Sequence, residues 1–208
     1  MAKSNTRRMK VEERRAQLLQ LGRQIFSEHA FDEISTDELA RIAGISKGLL
    51  YHYFDNKRGF YVGTIAAAAA ELNAVLQLDP ELDPLAGLAA SHTAFLDWIE
   101  QNRSIYLAVM RSGIGSDPEC RRIIEGIHGG ILSRMLSALG VAGDPAPRLR
   151  ARLMGWIGFS EFLSLDWLET RELSRDEVLG LILEAWRPIV LEELPGSAMA
   201  GRLRIPVP

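Results

Sequence analysis

Residues 35–54 read Ser35-Thr36-Asp37-Glu38-Leu39-Ala40-Arg41-Ile42-Ala43-Gly44-Ile45-Ser46-Lys47-Gly48-Leu49-Leu50-Tyr51-His52-Tyr53-Phe54. Position by position, the stretch meets what two short helices crossing over a tight turn require. Ser35-Thr36-Asp37-Glu38 is an S-x-x-E capping box, in which the serine oxygen takes an orphan backbone N–H and the Glu reaches back. Leu39 and Ala43 are apolar and face inward, and Ala40 is small enough to let the second helix approach. Gly44 stands where the first helix must end, a place that favours left-handed backbone. Ile45 fills the turn, Ser46 caps the next helix, and Leu50 and Tyr53 return to the core. Many helical hairpins meet some of these conditions. Meeting all of them in one twenty-residue window points to a helix-turn-helix that reads duplex DNA.

Outward from this window, almost everything reads as helix. β-Branched runs are few, and no Asn-Gly or Asp-Gly hairpin turn occurs. Apolar periodicity and start signals predict about nine helices, over 10–30, 36–43, 46–52, 56–77, 84–101, 103–112, 118–139, 146–170 and 175–193. Leu18, Leu21, Ile25 and Phe26 form the stripe of the first. Asp83-Pro84 and Asp117-Pro118 each read as an N-cap followed by proline at the first helical position. Ser174 to Glu177 is a second capping box. Pro188 is expected to kink or shorten the last helix. The fold class is therefore all-α. Residues 1–55 form a three-helix DNA-binding domain with a basic arm, residues 56–195 form a second helical domain, and residues 196–208 form a loose tail.

Composition supports this division. Of 208 residues, 47% are hydrophobic and 25% charged, which is ordinary for a globular protein. One cysteine, Cys120, excludes an internal disulfide and fits a reducing cytoplasm. No apolar run reaches the length of a membrane span, and the basic N-terminus lacks the apolar segment of a secretory signal. The net charge is −3, but residues 1–60 carry 11 Lys and Arg against 8 Asp and Glu, and the remainder carries 13 against 19. A basic end on an acidic body points to a polyanion at that end, with a solvated tail as the competing reading.

The run from Ile45 to Lys57 resembles the signature of TetR-family regulators. The run from Ile34 to Gly44 and the first helix ending in Phe26-Ser27-Glu28-His29-Ala30-Phe31 fit the same family. The close likeness covers about residues 10–60, with Gly59 and Phe60 departing from the usual acidic residue and leucine. The resemblance implies a dimeric regulator that binds a palindromic operator and is released by a small ligand. It further implies that helices eight and nine pair with their symmetry mates. Here the eighth offers Leu149, Leu153, Trp156, Ile157 and Leu163, and the ninth Val178, Leu181, Ile182, Ala185 and Trp186.

The third helix is expected in the major groove, its first turns meeting base edges and phosphates. Ser46, Lys47 and Gly48 open it. Lys47 can take a base or a phosphate, and Gly48 lets backbone approach the duplex. Tyr51 and His52 point outward, while Tyr53 is divided between the core and a phosphate. Thr36 and Lys57, at the starts of the second and fourth helices, are expected to position the duplex backbone. For each, a solvated helix face is the plainer reading.

In the second domain, Trp156, Phe159 and Phe162 recur at helical spacing on the eighth helix. They form ordinary core or the wall of an apolar pocket. His92, Tyr106 and His128 are the polar groups that could face such a pocket, whose ligand would be apolar or aromatic. Gly126, Gly129 and Gly130 on the seventh helix suggest close packing or room for a ligand. Catalysis finds no support: there is no H-E-x-x-H, G-x-S-x-G, P-loop or G-x-G-x-x-G. His92 and His128 lack metal-ligand spacing, and no cofactor is implied. The rival within the same fold is a DNA-binding regulator without a small ligand, switched by a protein partner or acting as an activator.

Overall fold

The computed structural model describes residues 2–29, 31, 33–77, 82–111, 117–194 and 196. Among the described residues there are nine helices and no strand. They are α1 (Ala2–Glu28), α2 (Thr36–Ile42), α3 (Lys47–Phe54), α4 (Lys57–Val75), α5 (Pro84–Gln101), α6 (Arg103–Arg111), α7 (Pro118–Ala138), α8 (Pro147–Thr170) and α9 (Arg175–Glu193). Eight of them lie close to the sequence expectation. α1 begins eight residues early, because residues 2–9 hold no glycine or proline to stop it. Pro188 does not shorten α9, which runs on to Glu193 with Ile189 and Val190 buried beneath its last turns. That burial offsets the backbone bond that proline removes.

Side-chain caps fix most starts. Asp83 Oδ1 accepts from Leu85 N at 2.9 Å, and Asp117 Oδ1 accepts from Glu119 N at 2.8 Å. The capping box at Ser174 is complete, with Ser174 N donating to Glu177 Oε2 at 2.7 Å. At Ser35 only half the box forms. Ser35 Oγ accepts from Glu38 N at 3.1 Å, but the Glu38 carboxylate turns to Arg41 at 2.7 Å. A guanidinium one turn on outcompetes a neutral N–H for that carboxylate.

The chain divides into two compact units. One comprises the chain up to Glu71 together with Asn102–Ile123, the other Leu72–Gln101 together with the chain from Ile124 onward. In the first, α4 is buried along Phe60, Tyr61, Val62, Thr64 and Ile65. A Cβ on Gly22 of α1 would lie 2.4 Å from Thr64 Oγ1, so α1 and α4 touch backbone to side chain. Phe26, Phe54, Phe60 and Tyr61 form an aromatic cluster, with Phe26–Tyr61 and Phe54–Phe60 centroids both 4.8 Å apart. α6 packs on α1. The compact unit is thus larger than residues 1–55, because α4 as far as Glu71 completes the core of α1–α3. The boundary expected at 55/56 does not coincide with a packing boundary. The tail 196–208 lies outside the described residues apart from Gly196.

In the second unit, α8 and α9 pack along their length and α5 lies against α9. Leu96, Ile99, Leu153, Leu168, Val178, Ile182 and Val190 are fully enclosed. Trp156 Nε1 donates to the Ile182 carbonyl at 2.9 Å. Arg148 to Glu193 at 2.7 Å and Arg152 to Glu192 at 2.6 Å join the start of α8 to the end of α9.

Candidate nucleic-acid interface

α2, the turn and α3 are locked from within. Leu39 and Leu50 are fully buried, Ala40 and Phe54 nearly so. Gly44 has φ +62°, the left-handed conformation that its place demanded. Gly44 N reaches Arg41 O at 3.2 Å and Ile45 N reaches Ala40 O at 3.0 Å. That is the double bond of a Schellman stop, which satisfies two orphan carbonyls. Ser46 then caps α3, its Oγ accepting from Leu49 N at 3.1 Å.

With its inner face fixed this way, α3 turns Lys47, Gly48, Tyr51 and His52 outward, all exposed. Tyr53 is half-buried against His52 and Phe54. A Cβ on Gly48 would meet only Ser46 Oγ at 4.0 Å, so nothing inside the protein requires glycine there. Thr36 is half-buried at the start of α2. Lys47 is not bare: its Nζ lies 2.9 Å from Asp37 Oδ1. That hydrogen bond holds the ammonium above the ordinary lysine range.

Lys57 is placed differently from its expected role. Its Nζ donates to Phe31 O at 2.6 Å and Ile34 O at 2.7 Å, and lies 4.2 Å from the Phe31 ring centroid. Two of its three donors tie down the loop before α2, which leaves one for a phosphate. Gly59 has a structural reason that the sequence hid. A Cβ there would fall 2.1 Å from Phe54 O, so the tight turn into α4 needs glycine. Next to it, Arg58 grips Asp117 through two bonds of 2.7 and 2.9 Å and Glu119 at 3.2 Å, tying the start of α4 to the start of α7. The guanidinium lowers the Asp117 carboxyl to about 2.

An N-terminal helix-turn-helix with a capped, outward-facing α3 is now joined by sequence likeness along most of the chain. Residues 18–63 match the bacterial regulatory proteins of the tetR family, and residues 84–186 match the tetracyclin repressor-like C-terminal domain. The chain belongs to the TetR family. It is a transcriptional regulator, as members of this family are, and not an enzyme. The HTH-type transcriptional activator FasR of Mycolicibacterium smegmatis is 26% identical over 184 residues, covering 86% of this chain and 84% of that protein. A TetR-family regulator of Streptomyces coelicolor superposes with a TM-score of 0.79 at 26% identity, covering 92% of this chain and 86% of that one. FadR of Bacillus subtilis, solved in complex with stearoyl-CoA, shares the fold with a TM-score of 0.64 at 15% identity, over 84% and 97% of the two chains.

The residues expected to contact a family effector do not all come together. His92 and Trp156 do: their rings lie 4.8 Å apart, and Trp186 stands 5.0 Å from Trp156. His92 Nδ1 donates to Leu88 O at 2.9 Å, and burial pushes its pKa below the ordinary imidazole range. The buried Trp186 Nε1 has no hydrogen-bond partner among the described residues. His128 Nε2 lies 2.6 Å from Glu161 Oε1, and that bond raises its pKa. Tyr106 is buried on α6, in the first unit.

Phe159 and Phe162 do not wall a pocket with Trp156. They are 42% and 73% exposed, whereas Trp156 is buried. The inward line of α8 runs through Leu149, Leu153, Trp156, Ser160, Ser164 and Trp167. At about 100° per residue, position 162 falls on the opposite side. The residues expected at the dimer seam are displaced by the same rotation. Leu149, Leu153, Trp156, Ile157, Val178, Ile182 and Trp186 are buried in their own unit, and Leu163 and Ala185 are half-buried. Of the ten, Leu181 is exposed. Periodicity revealed two apolar faces but could not say which one the chain keeps for itself. A cleft of about 440 Å³ in the first unit is lined by Arg15, Gly59, Val62, Gly63, Glu119 and Arg122 among others, and by none of the effector candidates.

Proposed function

We propose that the protein is a homodimeric repressor that places α3 in the major groove of a palindromic operator and leaves it when a small apolar ligand binds. Residues 1–55 read DNA and residues 56–195 bind ligand and form the dimer. The observation that carries this reading is the outer face of α3. Lys47, Tyr51 and His52 stand exposed around a glycine that no internal contact requires, over a fully anchored inner face. Ser46 and Gly48 present backbone to phosphate, and Thr36 and Tyr53 flank it. Lys57 acts chiefly by holding the loop before α2, with one donor left for the duplex.

The dimer forms through the outward faces of α8 and α9. Phe159, Phe162 and Leu181 are exposed there, and Gly155, Gly158 and Gly180 would have nothing within 4 Å of an added Cβ. Such a face lets a second copy approach closely. The effector is met by His92, Trp156 and Trp186, whose unspent indole N–H suits a carbonyl or carboxylate oxygen. FadR with stearoyl-CoA supports an acyl-type ligand for a protein of this fold. Ligand and operator oppose each other through a coupling of about 1–3 kcal/mol, which must be reciprocal. A second reading, activation instead of repression, is favoured by the name of FasR. It keeps α3, the dimer and the operator, and changes only the sign of the output.

The test is selection of bound duplexes from a random pool, by the wild type and by Lys47→Ala and Tyr51→Ala variants. A palindrome recovered by the wild type and lost or relaxed in the variants is the expected result. A folded dimer that enriches no sequence at low salt would sink the proposal.

A further inference from the structure

Lys47 is the single lysine or arginine on α3. Its ammonium is already engaged, 2.9 Å from the Asp37 carboxylate at the second position of α2. Nothing about folding requires that pair. Both side chains are surface groups, 46% and 77% exposed, and an ion pair so placed adds little to stability. The α2–α3 packing is held instead by Leu39, Leu50 and the Schellman stop at Gly44. Asp37 is not needed as a cap either, since Ser35 supplies the cap oxygen. Nor does it balance Arg41, which Glu38 takes. Its carboxylate pairs with Lys47, the one lysine or arginine that α3 offers to DNA.

We infer that Asp37 is a built-in competitor for the phosphate that Lys47 would take, and that it sets the strength and salt dependence of DNA binding. The inference rests on the reading of α3 as the recognition helix. A duplex arriving at α3 must displace Asp37 from Lys47 or share the ammonium with it. Either way the protein neutralises about one phosphate fewer than its basic side chains suggest, so fewer counterions are released. Binding to every sequence weakens by about the same factor, because a phosphate contact is made alike on specific and non-specific duplexes. Base contacts from Tyr51 and His52 are untouched. Asp37 therefore lowers affinity and salt dependence through the part of binding that carries no sequence information, and leaves the preference among sequences unchanged.

The experiment compares wild type with Asp37→Asn on the selected operator and on a scrambled duplex of equal length, from about 50 to about 200 mM salt. Helicity and dimer mass serve as controls. Asp37→Asn is expected to bind the scrambled duplex about 3- to 10-fold more tightly at low salt. Its log–log salt slope should be steeper by about 0.9. The same substitution in a Lys47→Ala background is expected to gain less than about twofold, since the competitor then has nothing to hold. Equal affinities and slopes for Asp37→Asn and wild type would overturn the inference. So would a gain that survives intact without Lys47, which would make Asp37 a plain repeller of phosphate. A wild-type dimer that binds no duplex at all would instead refute α3 as a recognition helix, and this inference with it.

Discussion

α3 and α8 are built alike and finished differently. Each has an inner line of buried side chains that locks it into its unit, Leu50 and Phe54 in α3, Leu153, Trp156 and Leu168 in α8. Each has an outer face with glycines that no internal contact demands, Gly48 on one, Gly155 and Gly158 on the other. On α3 the remaining outer residues are a lysine, a histidine and a tyrosine. On α8 they include two phenylalanines. Burial says which face folds the protein, and the chemistry of the other face says what kind of partner it suits. A polyanion suits the first and a second apolar surface the second.

The largest expected effect comes from giving α8 the polarity of α3. Phe159→Glu combined with Phe162→Glu puts like charges into the proposed two-fold seam and removes four aromatic side chains from it. Burying a Phe contributes about 1.5–3 kcal/mol, so the dimer dissociation constant should rise by roughly a thousandfold or more. Sedimentation at micromolar concentration should show monomers with unchanged helicity. A double variant that stays dimeric would place the seam elsewhere and break the comparison.

A smaller effect separates glycines of two kinds. Gly48→Ala meets open space and replaces the poorer helix former, so thermal stability should hold or rise by up to about 1 kcal/mol. Operator affinity should nevertheless fall about tenfold, because in the proposed complex the added methyl stands between backbone and duplex. Gly59→Ala should do the reverse in kind. Its methyl collides with the Phe54 carbonyl, so it lowers the melting temperature, and DNA binding suffers only as the fold does. If Gly48→Ala binds operator like wild type, α3 does not approach DNA through its first turn.

How much of this was legible in the sequence follows from the physics of each region. The helix-turn-helix was readable because its constraints are local. Gly44 in the left-handed region, Ser46 as cap and Leu39 and Leu50 as anchors each depend on near neighbours. Gly59 is legible only as a departure from the family pattern, since the atom that excludes a side chain there belongs to a turn whose geometry no propensity encodes. Asp37 shows in the sequence only as part of the capping-box window, because its pairing with Lys47 spans two helices. On α8, apolar residues occupy both faces, so spacing could not rank Trp156 against Phe162. Only packing of α9 and α5 on one side decided that Trp156 lies inside.

The smallest effect tests whether α8 is also held inward by charge. His128 on α7 and Glu161 on α8 are 2.6 Å apart and about three-quarters buried, and the carboxylate raises the imidazole pKa. Because the folded pKa exceeds the ordinary value of about 6.5, the pair's contribution is fully present below about pH 6.5 and fades as pH rises through the raised folded value. Glu161→Gln should therefore lower stability by about 1 kcal/mol near pH 6 and by progressively less above it. His92 titrates in the opposite sense: burial depresses its pKa, so its contribution is lost on acidification. His92 is common to both proteins, however, and cancels in the difference between their melting curves. A difference that grew with pH would mean that His128 is neutral against Glu161 and that α8 keeps its orientation through apolar packing alone.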